Sequence, residues 1–354
     1  MFYCLKKSFI LAFSFILFGC CHSVFADESK IKTSYRWGRG FNIPIAHLNI
    51  GGYGNLVYQN LKQQGNRVGL DDLSLFITWN PLSKLHFFSE LEFEDAFDSQ
   101  KGIRLSEQTF LVERLYADYL INERYQVRIG KFLTPVGIWN NIHAAPLVWT
   151  TTRPLITEAS VFAAHTSGIQ FTSKFVIDDR NLLISIYADD SHNLDPHKNQ
   201  VSFKNALGTR ISAEVFSHVT LGFSYITYRN HAKVGYSDRN HLYGTDFLWK
   251  QQGYELQAEF AYRHGGKQLG KETGLYLQTV LPLVHHVYAV GRYEYINGTH
   301  TENAITETGT YHLGIAGLAW RPYSPMVIKT EYRFGGGGSL IAPDGFFMSI
   351  STFF

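Results

Sequence analysis

The sequence predicts an all-β protein, a transmembrane antiparallel β-barrel of about sixteen strands with a long loop folded into its interior. Three observations lead to this prediction. Apolar and polar residues alternate with a period of two, which places them on opposite faces of β-strands. The chain opens with an export signal, and after that signal it has no apolar run long enough to cross a membrane as a helix. Strands would therefore have to cross the bilayer.

The first 26 residues have the form of a secretory signal, with two lysines before an uncharged apolar run. Small residues around Ala26 predict cleavage after that residue. A second interpretation is a lipoprotein signal ending at Cys20, although Phe18 fits that motif poorly. We therefore expect a signal peptide at 1–26, a periplasmic N-terminal segment at 27–45 and a transmembrane β-barrel at 46–354.

The composition bears on how the chain is stabilised and on which partners it is expected to have. All three cysteines lie inside the signal, so the exported chain has no disulfide to stabilise it. Removal of the two signal lysines leaves 30 basic and 30 acidic residues, a balance that does not indicate a nucleic-acid partner. We predict no cofactor and no metal ion. The expected partners are outer-membrane lipid and small hydrophilic solutes or ions.

The stretch YELQAEFAYR at 254–263 shows the alternation that predicts the barrel. Its even-numbered residues are apolar or aromatic, and its odd-numbered residues are charged or polar except Ala261. In a barrel of this size the apolar face would contact lipid and the polar face would contact interior water. Sixteen segments of this kind start near residues 46, 68, 84, 110, 124, 167, 181, 203, 218, 240, 254, 273, 286, 310, 325 and 345.

The connections between these segments alternate in length, as expected of a barrel inserted from the periplasm. Those after even-numbered strands are tight, for example 80–83, 178–180, 251–253 and 321–324. Those after odd-numbered strands are longer and polar, for example 190–199, 229–239 and 297–310. Aromatic residues near strand ends predict two interfacial belts, one with Trp79, Trp249 and Tyr254 beside short turns, the other with Tyr228, Tyr262 and Tyr295.

The ending GFFMSISTFF resembles the closing strand of bacterial outer-membrane proteins. Every second residue back from the terminal Phe354 shares the outward parity. In the proteins that it resembles, the terminal aromatic residue is the signal read by the barrel-assembly machinery. The resemblance therefore implies this machinery as a further partner.

The connection between the fifth and sixth predicted strands, LTPVGIWNNIHAAPLVWTTTRPLITEASVFAAHTSG, is much longer than the others. Its apolar residues are not typical of a disordered segment, and they predict packing against the interior of the barrel. In general porins, which the chain resembles, the loop after the fifth of sixteen strands folds inward and narrows the pore.

A second stretch, VRIGKFLTPVGIWN, is similar to the Gly-basic-Phe segment of phosphate-selective porins of the O and P type. The resemblance implies a water-filled channel for passive diffusion and no enzymatic step. Two departures from that family are the missing ladder of Lys and Arg residues and the missing long N-terminal helical extension. Phosphate selectivity is therefore not implied.

Polar residues at a narrow point and along the wall set the selectivity of a channel. On the loop we expect pore constriction by His143, Arg153, Glu158 and His165. On the wall we expect pore lining by Glu90, Glu92, Arg114, Asp118, Arg128, Asp246, Glu255, Glu259, Arg263, Arg292, Glu294, Lys329, Glu331 and Arg333.

The mixed signs of these charges leave two questions open. Ion pairs within the lumen are as consistent with the sequence as a ladder that binds solutes, so the choice between cations and anions is undecided. The sequence also leaves open the identity of the solute and whether the barrels form homotrimers. A structural or adhesive barrel acting through its surface loops is the main alternative function. A hydrolase would need a catalytic triad, and the sequence does not indicate one.

Overall fold

The structure is a computed structural model that describes residues 33–354 apart from 63, 104–108, 158–163, 191–202, 231–238, 266–270, 303–304, 337–338 and 340–341. The predicted signal peptide at 1–26 lies outside the described residues. Ser34–Phe354 forms one structural unit. Among the described residues, no helix is both long and apolar enough to span a membrane.

Sixteen strands form a closed antiparallel barrel, which confirms the predicted fold class. Each strand begins within a few residues of its predicted start. The barrel closes where the last strand pairs with the first, with Phe353 opposite Tyr53 and Gly345 opposite Leu61. The strands are β1 Leu48–Leu61, β2 Gly65–Leu82, β3 Leu85–Asp98, β4 Phe110–Leu120, β5 Tyr125–Leu133, β6 His165–Ile177, β7 Arg180–Asp189, β8 Phe203–Phe216, β9 Val219–Asn230, β10 Arg239–Gln251, β11 Tyr254–His264, β12 Lys271–Val284, β13 Val287–Glu302, β14 Ile305–Tyr323, β15 Met326–Phe334 and β16 Gly345–Phe353.

The distribution of burial is the reverse of that in a soluble protein. In β11, Glu255 and Glu259 are 5% and 7% exposed, whereas Tyr254 and Phe260 are 43% and 40% exposed. The charged parity faces the interior and the apolar parity forms the outer surface. A closed sheet leaves no unpaired edge, which is the condition that a sheet must meet in lipid.

The tight connections adopt the backbone expected of two-residue hairpins. Asp178 and Asp179 both have positive φ (48° and 60°), as do Gln252 and Gly253 (50° and 88°). Two successive positive φ values match the twist of the flanking strands. All seven connections after even-numbered strands lie at one end of the barrel, which we call the short-turn end. The opposite end is the long-loop end.

One predicted loop is wrong. Residues 297–310 were expected to be a polar loop, but β13 and β14 continue through them, pairing Asn297 with Thr310 and Glu302 with Ile305. Threonine is frequent in this stretch, and β-branched residues favour strands even where the sequence is polar. This hairpin therefore projects beyond its neighbours at the long-loop end.

Five of the six aromatic residues predicted for the interfacial belts face outward near strand ends, and the sixth faces inward. Trp79 and Tyr254 are exposed outward at the short-turn end, whereas Tyr228 is 1% exposed and packs inside the barrel 4.9 Å from the ring of Phe203. Tyr228 shares the parity of Ile226, which faces inward and is also buried. A position at a strand end therefore does not by itself predict that an aromatic residue faces the membrane; the residue must also have the outward parity of its strand.

The described part of the predicted N-terminal segment, residues 33–45, packs against the short-turn end. Two short strands, Ser34–Arg36 and Gly40–Ile43, pair with each other, and the second pairs with the start of β1. Trp37 donates a hydrogen bond from Nε1 to Thr352 Oγ1 at 3.2 Å. The segment thus adds to the rim where the barrel closes.

Candidate functional site

The connection between β5 and β6, residues 134–164, is called the inner loop, and residues 134–157 and 164 of it are described. Asn140 is 1% exposed and closes the base of this loop. Its Nδ2 donates to Thr134 O at 2.8 Å and to Ala164 O at 3.1 Å, which ties the two ends of the loop together. From this base, the described part of the loop extends across the lumen to the strands described below.

The first crossing point is on β11. The backbone N–H of Trp139 donates to Glu259 Oε1 at 2.7 Å, and the Tyr276 hydroxyl donates to the same oxygen. Gly137 lies beside this carboxylate with φ +64°, and a Cβ at Gly137 would collide with it. Glycine is therefore needed here both for its backbone conformation and for the close approach of Glu259.

Gly137→Ala is expected to lower the stability of the folded barrel by about 1–3 kcal/mol, because it adds backbone strain and displaces the Glu259 carboxylate. Thermal unfolding of the purified protein in detergent measures the change. Gly65→Ala is the matched control, since Gly65 has a similar φ of +75° but no atom near its Cβ position. Equal losses in the two variants would show that the contact with Glu259 contributes nothing.

The second crossing point is on β13 and β15. The backbone N–H groups of Thr151 and Thr152 donate to the two oxygens of Glu331 at 2.7 and 2.9 Å. Arg292 donates to Thr150 Oγ1 at 2.5 Å and to Thr152 O at 3.0 Å. Charge-assisted hydrogen bonds of this kind are the stronger ones in proteins. Residues 150–152 are therefore held firmly to the wall.

Two further cations bind carbonyl groups of the loop between these points. Lys329 Nζ donates to Ala145 O at 3.0 Å and to Thr150 O at 3.2 Å. Arg321 donates to Pro146 O at 2.9 Å, and its guanidinium lies 4.4 Å from the ring centre of Trp149. Glu255 and Glu294 accept hydrogen bonds from the Trp149 side chain and the Leu155 backbone, at 3.0 and 2.7 Å.

These contacts change the role of part of the predicted pore lining. Six of the predicted pore-lining residues are almost fully buried against the inner loop and form hydrogen bonds with its atoms. They anchor the loop and do not line a solvent-filled pore. They are Glu255, Glu259, Arg292, Glu294, Lys329 and Glu331. Arg333 is also buried, and its Nε donates to Pro343 O at 2.9 Å, so it holds the connection before β16.

The remaining predicted wall charges are largely paired with one another. Asp118 and Arg128, directly opposite on β4 and β5, form a two-point ion pair at 2.7 and 2.9 Å. Asp246 forms a similar pair with Arg210 at 2.6 and 2.9 Å. Arg263 pairs with Glu272, and Arg114 pairs with Glu90. Arg210 and Glu272 were missed, although their strand parity already pointed inward.

Three further carboxylates lie on β2 and β3, strands that receive no hydrogen bond from the described part of the inner loop. We call Asp72, Glu92 and Glu94 the acidic wall. Asp72 accepts a hydrogen bond from Asn55 Nδ2 at 2.8 Å. Glu92 accepts from the Ser74 hydroxyl at 3.1 Å and from the Tyr53 hydroxyl at 3.3 Å. These donors are neutral, and neither Asp72 nor Glu92 has an ion-pair partner among the described residues. Asp72 and Glu94 were missed as site residues.

Two predicted constriction residues meet at a carboxylate that was also missed. His143 Nε2 and His165 Nε2 lie 3.3 and 2.8 Å from Glu113 Oε1. Regular alternation would place Glu113 outward with Leu115, but the pairing of β3 with β4 shifts between Glu90 and Leu91. Such a β-bulge turns one extra residue inward. The bulge therefore links the inner loop to β4.

The other two predicted constriction residues have different outcomes. Arg153 is exposed on the inner loop and has no hydrogen bond or ion pair with any described residue. Its charge interacts electrostatically with Asp72 and Glu94 on the acidic wall. Glu158 lies outside the described residues. Arg153 and the acidic wall thus face the same space with opposite charges.

Comparison with solved structures identifies the architecture. Salmonella typhi OmpF in complex with daunomycin superposes with a TM-score of 0.65 at 12% identity, covering 87% of this chain and 97% of that one. The chain has a porin-like barrel fold. An anion-selective porin from Comamonas acidovorans gives 0.62 at 12% identity, covering 87% and 99%, and the channel DcaP of Acinetobacter baumannii gives 0.56 at 11%, covering 89% and 100%.

Sequence comparison is less informative. No protein-family model matches the chain. A stretch of 111 residues is 35% identical to an uncharacterized protein of Aquifex aeolicus (strain VF5), and it covers 31% of this chain and 25% of that relative. The match therefore spans about a quarter of the relative's length.

Proposed function

We propose that the protein is an outer-membrane porin through which small hydrophilic solutes and ions diffuse passively, with no chemical step. The observation that carries the proposal is that the described part of the inner loop makes no hydrogen bond or ion pair with β2 and β3. Its hydrogen bonds across the lumen go to β11 and to β13–β16, and His143 contacts Glu113 on β4. The acidic wall on β2 and β3 receives none of these contacts. A passage between Arg153 and the acidic wall is the channel that this arrangement supports.

We further propose that this passage prefers cations. Along most of the lumen, ion pairs or loop contacts offset each carboxylate, so those walls contribute little net potential. Asp72 and Glu92 accept hydrogen bonds only from neutral groups and have no ion-pair partner among the described residues. Arg153 offsets part of this charge from the loop side. Fixed charges at a narrow point determine which ions pass.

The environment of Lys131, the basic residue of the Gly-basic-Phe segment, does not support phosphate selectivity. Lys131 of the Gly-basic-Phe segment is 2% exposed, and its Nζ donates to Val112 O at 2.6 Å. A buried lysine bound to a backbone carbonyl is not placed to receive an anion from the channel. The membership in the phosphate-selective family that the segment suggested is therefore not part of the proposal.

Reconstitution of the purified protein in planar bilayers is expected to give stepwise conductance. Under a salt gradient of potassium chloride, the reversal potential should have the sign of a cation-preferring channel, because the carboxyl groups of Asp72 and Glu92 have no ion-pair partner among the described residues. Closed barrels that never conduct would overturn the proposal in favour of a structural or adhesive barrel. A reversal potential of opposite sign would overturn the assignment of the passage.

A further inference from the structure

The outer surface of β9–β12 is arranged in three bands that the channel does not use. Near the middle, outward residues are apolar, as with Phe223 and Phe260, which are 42% and 40% exposed. Towards the long-loop end come Tyr and His residues, and at the end itself come cations. The outward positions of these four strands include no carboxylate among the described residues. The surface therefore changes from apolar to cationic along the strand axis.

The cations at this end are Arg229, Arg239 and Lys271, which we call the cationic rim. Arg229 and Arg239 are directly opposite each other in the pairing of β9 with β10. Like charges in such positions repel, so this pairing costs stability in the isolated barrel. Lys271 is exposed two strands further along, opposite His264 on β11.

The described residues do not relieve this repulsion. Arg239 donates only to the neutral Thr227 hydroxyl at 3.1 Å. Arg229 has no hydrogen bond or ion pair in the described structure, and its Nε is buried without a partner. Arg67 of β2 provides the contrast, because it contacts Asp71, Asp95 and Asp98 at 2.6–2.9 Å. Among the described residues, the cationic rim thus has no anionic partner like those that surround Arg67.

The band below the rim suits a membrane interface. The Tyr225 hydroxyl and His241 Nδ1 are 2.8 Å apart, and the rings of His241 and His264 stack at 5.1 Å. Aromatic side chains with a polar tip are typical of the depth where lipid headgroups begin. The cationic rim then lies at headgroup level, with exposed Phe223 and Phe260 at the level of acyl chains.

We propose that this face binds a phosphorylated glycolipid of the outer leaflet, with its phosphate groups between Arg229 and Arg239 and its acyl chains on the apolar band. Guanidinium groups bind phosphate in two-point geometry, and an anion between two arginines converts their repulsion into attraction. A free anion would use the rim but would gain nothing from the apolar band. The inference rests on the outer-membrane location proposed above.

The test measures binding of bis-phosphorylated lipid A to the full protein in non-ionic detergent, by native mass spectrometry and by the shift in melting temperature. We expect binding by the wild type, and binding at least about tenfold weaker in Arg229→Gln/Arg239→Gln because two charge-assisted contacts are lost. Without lipid, the double variant should melt no lower than wild type, since the repulsion is gone. Arg36→Gln/Arg39→Gln, which changes two exposed arginines near the short-turn end, is the control and should bind like wild type.

Several outcomes would overturn the inference. Equal binding of dephosphorylated lipid A would exclude the phosphate contact, and displacement by millimolar inorganic phosphate alone would indicate a free anion. Loss of an oligomer in the rim variant would show that a second copy of the chain covers this face. Conductance of the rim variant in bilayers without lipid A should equal that of wild type, which separates this test from that of the channel.

Discussion

Deletion of residues 142–156 is expected to raise the single-channel conductance at least about twofold, because the narrowest section limits flow through a pore. The deleted segment contains the loop atoms bound by Arg292, Lys329 and Glu331. After the deletion these side chains would be hydrated by lumen water, so the barrel itself should still close. Permeation of neutral sugars of increasing size measures the accompanying change in size exclusion.

The control for this deletion is a shortening of residues 191–202, the connection after β7. That variant should keep the conductance of wild type. Glu331→Ala/Glu294→Ala keeps the full length of the inner loop and removes carboxylates that hold Thr151, Thr152 and Leu155. It should broaden the distribution of conductance levels. A deletion variant that folds and conducts like wild type would show that the inner loop is not the constriction.

Asp72→Asn/Glu92→Gln is expected to abolish most of the cation preference, because it removes two uncompensated carboxylates from the passage. Both replacements are close in shape to the native residues, so the hydrogen bonds with Asn55 and Ser74 can be largely kept by rotation of the amides. The measurement is the reversal potential under a potassium chloride gradient, which should move towards zero. Arg153→Gln should move it the other way.

The matched control removes a complete ion pair. Asp118→Asn/Arg128→Gln deletes the two partners that bind each other at 2.7 and 2.9 Å, so the net charge of the lumen stays the same. Its reversal potential should match that of wild type. If this control and the acidic-wall variant shift the potential equally, the distinction between paired and unpaired carboxylates is invalid.

The alternation of apolar and polar residues along each strand was sufficient to predict the direction of most side chains in the barrel. The direction of Glu255, Glu259 and Arg263 followed from alternation within one ten-residue stretch, and the structure buries all three. Parity would also have located Asp72 and Arg210, had it been applied to every charge. Alternation is reliable in such a protein because one face of each strand meets lipid along its whole length.

Alternation failed to predict the direction of side chains where the pairing between strands is irregular. Glu113 and Asp71 are the extra residues of two β-bulges, one between β3 and β4 and one where β2 pairs with its neighbours. A bulge depends on the partner strand as well as on its own sequence, so alternation along one strand cannot reveal it. The contact of Glu113 with His143 and His165 could therefore only come from the assembled sheet.

The sequence by itself determined the number of strands, the outward or inward direction of most side chains and the existence of a long apolar loop, because these depend on the order of neighbouring residues. The tertiary structure decided which inward charges stay free. Thr151 and Glu331 are 180 positions apart in the chain, and only closure of the barrel brings them together. In the described part of the chain, the same closure brings no ion-pair partner to Asp72 and Glu92, since electrostatic compensation depends on distance in space.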